Sequence, residues 1–488
     1  MVLLDEVKKE VSKSNSIAEI KNNLLKRGYL ENDIDEALKK LINIHSAEKN
    51  KNNRILSIKE LFDRIGYGFS SQQFINILFM LSGASLFLVG FMNGFKSALT
   101  QVLSGFLSEY SKLKSLNKNL ISASGVIFGF SFLGMALAVV IQSPVLFLLS
   151  MVVGTIGIIA HGDLYVDFFN RVLKNERRHE FLKFISYFGI IITAASLLLA
   201  GFLLEMFPVT GTLVHFNPSF FNFAEPLVFK IYGYLLAFEI TAIMFILSGY
   251  LLSFVDEEQE KLVYGGHILI DSFKRYLSES FEATSVFAKN KKIFLLMIAT
   301  ILTTICQIIG NSYFGIFIYE NFKDQFLKGF LNVAVIFVIA LIASISGTLL
   351  TKRFAKSLGE APMLVFGTLL IAVLPLTFYF NPHMYAIGLA TALSVIGGAI
   401  VGVAQGLIAE RLMNEVELKK YYSGIGFVSA LPILLIVTVG AVIAQALDIS
   451  VLFLILGIAL ACVVMPLYFI IVLIVEKEYR AERVKRVK

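Results

Sequence analysis

The 488-residue sequence has no tryptophan, only two cysteines, and few charges: Asp, Glu, Lys and Arg make up 16% of it. So little charge excludes a water-soluble protein of this length, which needs about a quarter of its residues charged. Cys306 and Cys462 both lie in apolar runs, which excludes a disulfide framework and makes them small buried hydrophobes. Without tryptophan, anchoring at a membrane boundary falls to tyrosine, phenylalanine and lysine. No phosphate-cradling glycine loop, nucleophile elbow or zinc-protease helix occurs, so an energy-hydrolysing pump and an intramembrane hydrolase find no support. The chain is not expected to be an enzyme or to carry a cofactor. The first 70 residues are polar, and no cleavable signal peptide is expected.

What the sequence has is oil. Hydrophobic residues reach 57% and the mean hydropathy is +0.76. Apolar runs cover 72–92, 95–111, 120–141, 144–162, 181–205, 229–254, 292–319, 328–350, 361–381, 384–408, 423–446 and 450–475. Each is near the ~20 residues that cross a bilayer as a helix. The first two are divided at Asn93-Gly94, a strong turn dipeptide. With the N-terminus on the cytoplasmic side, the inner connectors are rich in lysine and arginine, among them Lys112, Lys114, Arg177, Arg178, Lys352, Arg353, Lys419 and Lys420, and the outer ones poor. That obeys the positive-inside rule and predicts a multi-pass protein of the cell membrane with both termini cytoplasmic. The net charge of +7 is dispersed over these connectors and the tail. It is therefore no footprint for nucleic acid.

The expected fold class is an all-α integral membrane protein: twelve transmembrane helices in two pseudo-symmetric six-helix bundles, with a small N-terminal helical segment. The expected division is 1–70 (cytoplasmic helices and linker), 72–254 (first bundle), 255–291 (inter-bundle linker), 292–476 (second bundle) and 477–488 (basic tail). In the first segment Ile17, Ile20 and Leu24 share one helix face, Gly28 ends that helix, and Ile34, Leu38 and Leu41 line a second helix with Asn32 at its N-cap. Residues 48–54 read as a polar linker, and the cytoplasmic partner of 1–70 is unknown. In the inter-bundle linker, Phe273, Leu277 and Phe281 mark an amphipathic helix on the membrane surface or against the bundle.

After the second span the chain reads "GFLSEYSKLK", with Gly105, Glu109, Lys112 and Lys114. After the eighth it reads "GTLLTKRFAK", with Gly347, Lys352 and Arg353. In this layout and these motifs the chain resembles the major facilitator superfamily over about residues 72–476. The resemblance implies an alternating-access secondary transporter with a small-molecule substrate and, in many members, a coupling ion (H+ or Na+). It also implies that Glu109, with Arg353, latches an inner gate. The first copy has Glu where the family has Asp, the second has Thr351 in the acid's place, and no arginine falls within the fourth span.

A transporter needs polar groups at membrane depth. Span seven, "TTICQIIGNSYFGIFIY", supplies Thr303, Gln307 and Asn311 on one face, with Thr304 and Tyr313 near it. Gln101 and Gln405 are further substrate-binding candidates. Against this stands interhelical hydrogen bonding without solute contact. Glu239 is the acid closest to the centre of any expected span, and hence the coupling candidate. Lys96 follows the turn and either snorkels or meets an anion. His161, Asp163 and Asp167 lie at the inner end of span four, where an ion pair with Arg171, Arg177 or Arg178 is favoured over a metal. The functional expectation is a transporter of a small organic solute. The rivals are a membrane receptor or scaffold and a lipid translocase.

Overall fold

A computed structural model of the chain describes residues 6–7, 17–113, 118–173, 175–208, 210–216, 227–256, 267–357 and 359–487. The N-terminal hairpin is α1 (Ile17–Lys26) and the start of α2 (Glu31–Phe69). Gly28 turns it at φ +87°, a conformation that favours glycine. Val7, Ile20, Leu24, Ile34 and Leu38 form its small core. The helix is capped by Leu30 rather than Asn32. The expected linker at 48–54 is helical, because α2 continues through it.

That continuation changes the first crossing. The second half of α2 enters the bundle, and α3 (Gln72–Leu81) prolongs it after a break at Ser70-Ser71. Asn52 bonds Asp256, Ser248 bonds Asp63, and Gly66 lies against Phe245. α2 thus runs antiparallel along α8 (Gly233–Leu252). Farther on, Phe79 of α3 stacks on Phe147 at 4.9 Å. From residue 52 to 81 the pair spans about 45 Å, enough to cross. The expectation that 1–70 lies outside the bundle is therefore corrected. Lys59, Glu60, Asp63 and Arg64 depress the hydropathy of a stretch that packs inside.

The turn at Asn93-Gly94 is also corrected. α4 (Leu86–Leu113) runs straight through it, and the turn falls at Ser82–Ser85 instead. Then follow α5 (Lys118–Val140), α6 (Pro144–Val172) and α7 (Asn175–Met206). An antiparallel pair, β1 (Thr212–Phe216) with β2 (Leu227–Ile231), precedes α8. The sixth span therefore starts at Gly233 rather than 229. After α9 (Ile268–Lys289) come α10 (Lys291–Phe322), α11 (Gly329–Ser357), α12 (Glu360–Phe380), α13 (Met384–Leu412) and α14 (Glu415–Ala446). The last crossing is α15 (Ile449–Ala459), a π-turn at Leu460–Val464, and α16 (Met465–Val487).

Among the described residues eleven helices are long and apolar enough to span. The broken α2–α3 pair is compatible with a twelfth crossing. The halves repeat one plan, with α5 against α6 in the first and α12 against α13 in the second. They meet along α4–α14 and α7–α11. We call the end where α2 enters the near side, and the opposite end the far side.

α9 bridges the halves on the near side. Its buried face is Ser272, Tyr276, Ser280, Ala283 and Phe287. The expected apolar face points outward instead, with Phe273 and Phe281 49% and 65% exposed. Two glycines admit the helix: a Cβ on Gly105 of α4 would lie 2.4 Å from the Tyr276 ring, and one on Gly424 of α14 would lie 2.1 Å from the Ala283 Cβ. Gly424→Leu should therefore expel α9, since neither backbone can yield cheaply. Limited proteolysis within 267–289 is expected to accelerate about tenfold or more. Gly402→Leu, where an added side chain meets open space, should not change it.

Candidate functional site

The far halves of the two bundles are joined by amides. Gln73 of α3 donates from Nε2 to the Asn311 carbonyl at 3.1 Å and accepts from the Gly315 N–H at 2.9 Å. It thus bridges the acceptor and donor of one helical rung of α10. Asn76 Nδ2 donates to the Ser312 carbonyl at 3.0 Å. Tyr313 Oη donates to the Leu86 carbonyl at 3.0 Å, and the Phe330 N–H donates to Glu205 Oε2 at 3.0 Å. Gln73, Asn76 and Tyr313 are buried. On the near half of α13, by contrast, Gly402 borders open space. Where described, the molecule is closed by hydrogen bonds on the far side.

Behind this seam an amide network surrounds Lys96. Gln72 Nε2 donates to Asn76 Oδ1 at 2.8 Å and to Asn93 Oδ1 at 3.0 Å. Asn93 Nδ2 donates to Asn76 Oδ1 at 3.1 Å. Lys96 Nζ donates to Gln72 Oε1 at 2.5 Å. Asn93, expected in a turn, is thus a buried link between α3 and α4. Lys96, Gln72, Ser70, Ser71, Tyr67 and Thr155 border one cavity of about 270 Å³.

The α10 residues divide by geometry. Gln307 and Asn311 are one turn apart, beside a pocket of about 70 Å³ that Gly310 and Ser394 also line. Neither side-chain amide has a partner among the described residues. Thr303 is 3% exposed and points elsewhere. Its hydroxyl donates to the Ala299 carbonyl at 2.7 Å and meets Tyr468 Oη at 2.9 Å. Gln405 Nε2 donates to the same Tyr468 hydroxyl. Thr303 and Gln405 are thus engaged in a chain across α10, α13 and α16. Tyr313 is wholly buried against Gly90. Gln101 lies against Gly426 on the α4–α14 seam.

A second polar cluster is buried on the near side of the first bundle, and the sequence reading did not assemble it. Lys59 Nζ lies 2.6 Å from Asp63 Oδ2 and 3.4 Å from Glu60 Oε1, and 3.3 Å from the Tyr165 ring centroid. Ser248 Oγ donates to Asp63 Oδ1 at 2.5 Å. Lys59 and Asp63 are 1% and 3% exposed. His161 Nδ1 lies 3.2 Å from the Ile121 carbonyl, which fixes a proton on that nitrogen. Its Nε2 faces Asp63 Oδ2 at 3.7 Å with no hydrogen bond. His161 is thus directed to Asp63 rather than to the expected arginines. Asp167 is exposed, Asp163 has a buried oxygen without a partner, and the side chains of Arg177 and Arg178 lie outside the described residues.

Glu239 lies six residues into α8, about 9 Å from its far end, and is exposed. It is not central, because the span begins at Gly233. Asp63, unlike Glu239, is buried inside the bundle. Of the motif residues, Glu109 is 4% exposed, Arg353 is exposed, and the side chains of Lys112 and Lys352 lie outside the described residues. Gly347 packs against Ile396 and Ala399 of α13.

The architecture matches solved transporters. A variant of the nucleoside transporter NupG superposes with a TM-score of 0.66 at 12% identity, covering 86% of this chain and 99% of that one. The chain has the major facilitator fold. A bacterial homologue of the iron transporter ferroportin, in an inward-facing state, superposes at 0.63 with 14% identity, covering 86% and 98%. A bacterial homologue of the lysosomal transporter Spinster, inward-facing and occupied, superposes at 0.57 with 12% identity, covering 88% and 96%. No protein-family model and no curated protein sequence matches the chain. Identities this low speak for the major facilitator fold alone.

Proposed function

We propose that the chain is a secondary transporter that moves a small polar organic solute across the cell membrane by alternating access, with its near side cytoplasmic. One observation carries the reading: in the major facilitator fold, two unpaired neutral amides, Gln307 and Asn311, face a pocket inside the second half, between α10, α12, α13 and α15. An amide offers a donor and an acceptor to a hydroxyl or amide solute without the desolvation cost of a charge. The far-side amide contacts would break and near-side contacts would form as the halves exchange states.

Coupling to protons is assigned to Asp63 and His161. The feature that supports it is geometric: an imidazole and a carboxylate face each other at 3.7 Å inside the first bundle, beside the Lys59 ammonium. The test is uptake by purified protein in proteoliposomes, using sugars, nucleosides, amino acids and peptides, with and without a pH gradient. Asp63→Asn combined with Lys59→Met keeps the Ser248 bond and strands no ammonium. It is expected to abolish gradient-driven accumulation while solute exchange at equal pH continues. Accumulation that persists in the cooperatively melting double variant removes the coupling assignment. If no solute moves in any condition but labelled lipid scrambles, the translocase replaces the transporter.

A further inference from the structure

Lys96 is ten residues into α4, about 15 Å from its far end, which places it near the middle of a bilayer about 30 Å thick. A lysine side chain cannot snorkel from that depth. Its hydrogen-bond partner is the neutral Gln72 carbonyl oxygen, and among the described residues it forms no ion pair with a carboxylate. Ammonium groups at membrane depth are costly unless paired or facing water, and they mark binding sites.

Lys96 faces the 270 Å³ cavity, and so does a second source of positive potential. The helix break at Ser70-Ser71 opens the N-terminus of the ten-residue α3 onto the same cavity. Ser71 supplies no side-chain cap there, and its hydroxyl has no partner among the described residues. Ser70 instead donates its hydroxyl back to the Gly66 carbonyl at 2.7 Å. The first N–H groups of a helix lack internal acceptors and attract negative charge. Interrupted membrane helices use such ends to hold anionic groups of a substrate.

We infer that this cavity receives an anionic group, a carboxylate or a phosphate, against Lys96, the Ser71 hydroxyl and the start of α3. The inference rests on the transporter reading and narrows it: the solute carries a negative charge. The cavity is lined from the first half alone, and the Gln307–Asn311 pocket from the second half alone.

The test uses purified full-length protein and matched neutral and anionic probes: glucose and gluconate, uridine and uridine monophosphate, N-acetyl-alanylalanine amide and N-acetyl-alanylalanine. Monoacylglycerol and lysophosphatidic acid form the lipid pair. In thermal shift, the anionic member of at least one pair is expected to bind, the neutral member about tenfold more weakly or not at all. A response in the lipid pair alone assigns the site to a headgroup, and a response in a soluble pair to a free solute. Lys96→Gln should abolish the response and Lys96→Arg should retain it. Ser71→Asp, which adds an internal carboxylate at the same mouth, should abolish it as well and guards against misfolding of the first variant. Neutral members that bind as well, an anion response that survives both Lys96→Gln and Ser71→Asp, or no response to any anion overturns the inference. Flux of a neutral solute in that case leaves the transporter reading standing. Absence of flux for every member removes that reading instead.

Discussion

Lys59→Met is expected to destabilise the protein more than Lys59→Met combined with Asp63→Asn. The pair is almost fully buried and 2.6 Å apart. Removing one partner leaves a charge with no countercharge in a medium that solvates it poorly. Such losses run at about 3–5 kcal/mol, whereas replacing both partners is often close to neutral. In the double variant the amide carbonyl that replaces the Asp63 carboxylate can still accept the Ser248 hydroxyl, and of the two acids beside Lys59 only Glu60, whose side chain is 15% exposed, keeps a charge. Thermal melting in detergent reads the comparison. The deficit of the single variant should shrink as pH falls, because a proton on Asp63 removes the uncompensated charge. Equal melting of the single and double variants would show that the two residues do not act as a pair.

The second large effect concerns solute binding. Gln307→Ala and Asn311→Ala each remove an amide that nothing else in the described protein satisfies. Each should weaken transport by about 0.5–1.5 kcal/mol, roughly twofold to tenfold in kcat/KM, and both together by up to about a hundredfold. Melting should barely change, because no interhelical bond is lost. Thr303→Val should behave in the opposite way. It breaks the hydroxyl contact with Tyr468 and should lower the melting temperature while leaving KM near wild type. Uptake by proteoliposomes alongside melting separates the two classes. A Thr303→Val protein with an altered KM and unaltered melting would reverse this assignment of roles.

Much of the fold was legible because the bilayer demands long apolar runs, and from residue 118 to 206 and from 291 onward each run became helical, although α6, α11, α14 and the last crossing run on for two turns or more into the connectors. The first crossing was not legible for the same reason. Four charged residues in Lys59–Arg64 lower the average below that of a span, although Lys59 and Asp63 satisfy each other once folded. Asn93-Gly94 misled in turn: it is a turn dipeptide in water, but inside the bundle Asn93 bonds Val89 and Asn76 while helical hydrogen bonds hold its backbone. The error at Asn93 displaced Lys96 from mid-depth to a helix end and hid its significance. Periodicity put Thr303, Gln307 and Asn311 on one face. It could not tell which of them another helix would claim, because Tyr468 lies 165 residues away from Thr303. The Asp63–His161 contact was illegible for that reason too.

The way α9 lies across the molecule has a mechanical corollary. The α4–α14 border is fastened near one end by Gln445 on Phe87 and near the other by α9 wedged over Gly105 and Gly424. In the proposed exchange of states the Gln445 contact would part, and α9 would remain as the tether that keeps the two halves in register on the near side.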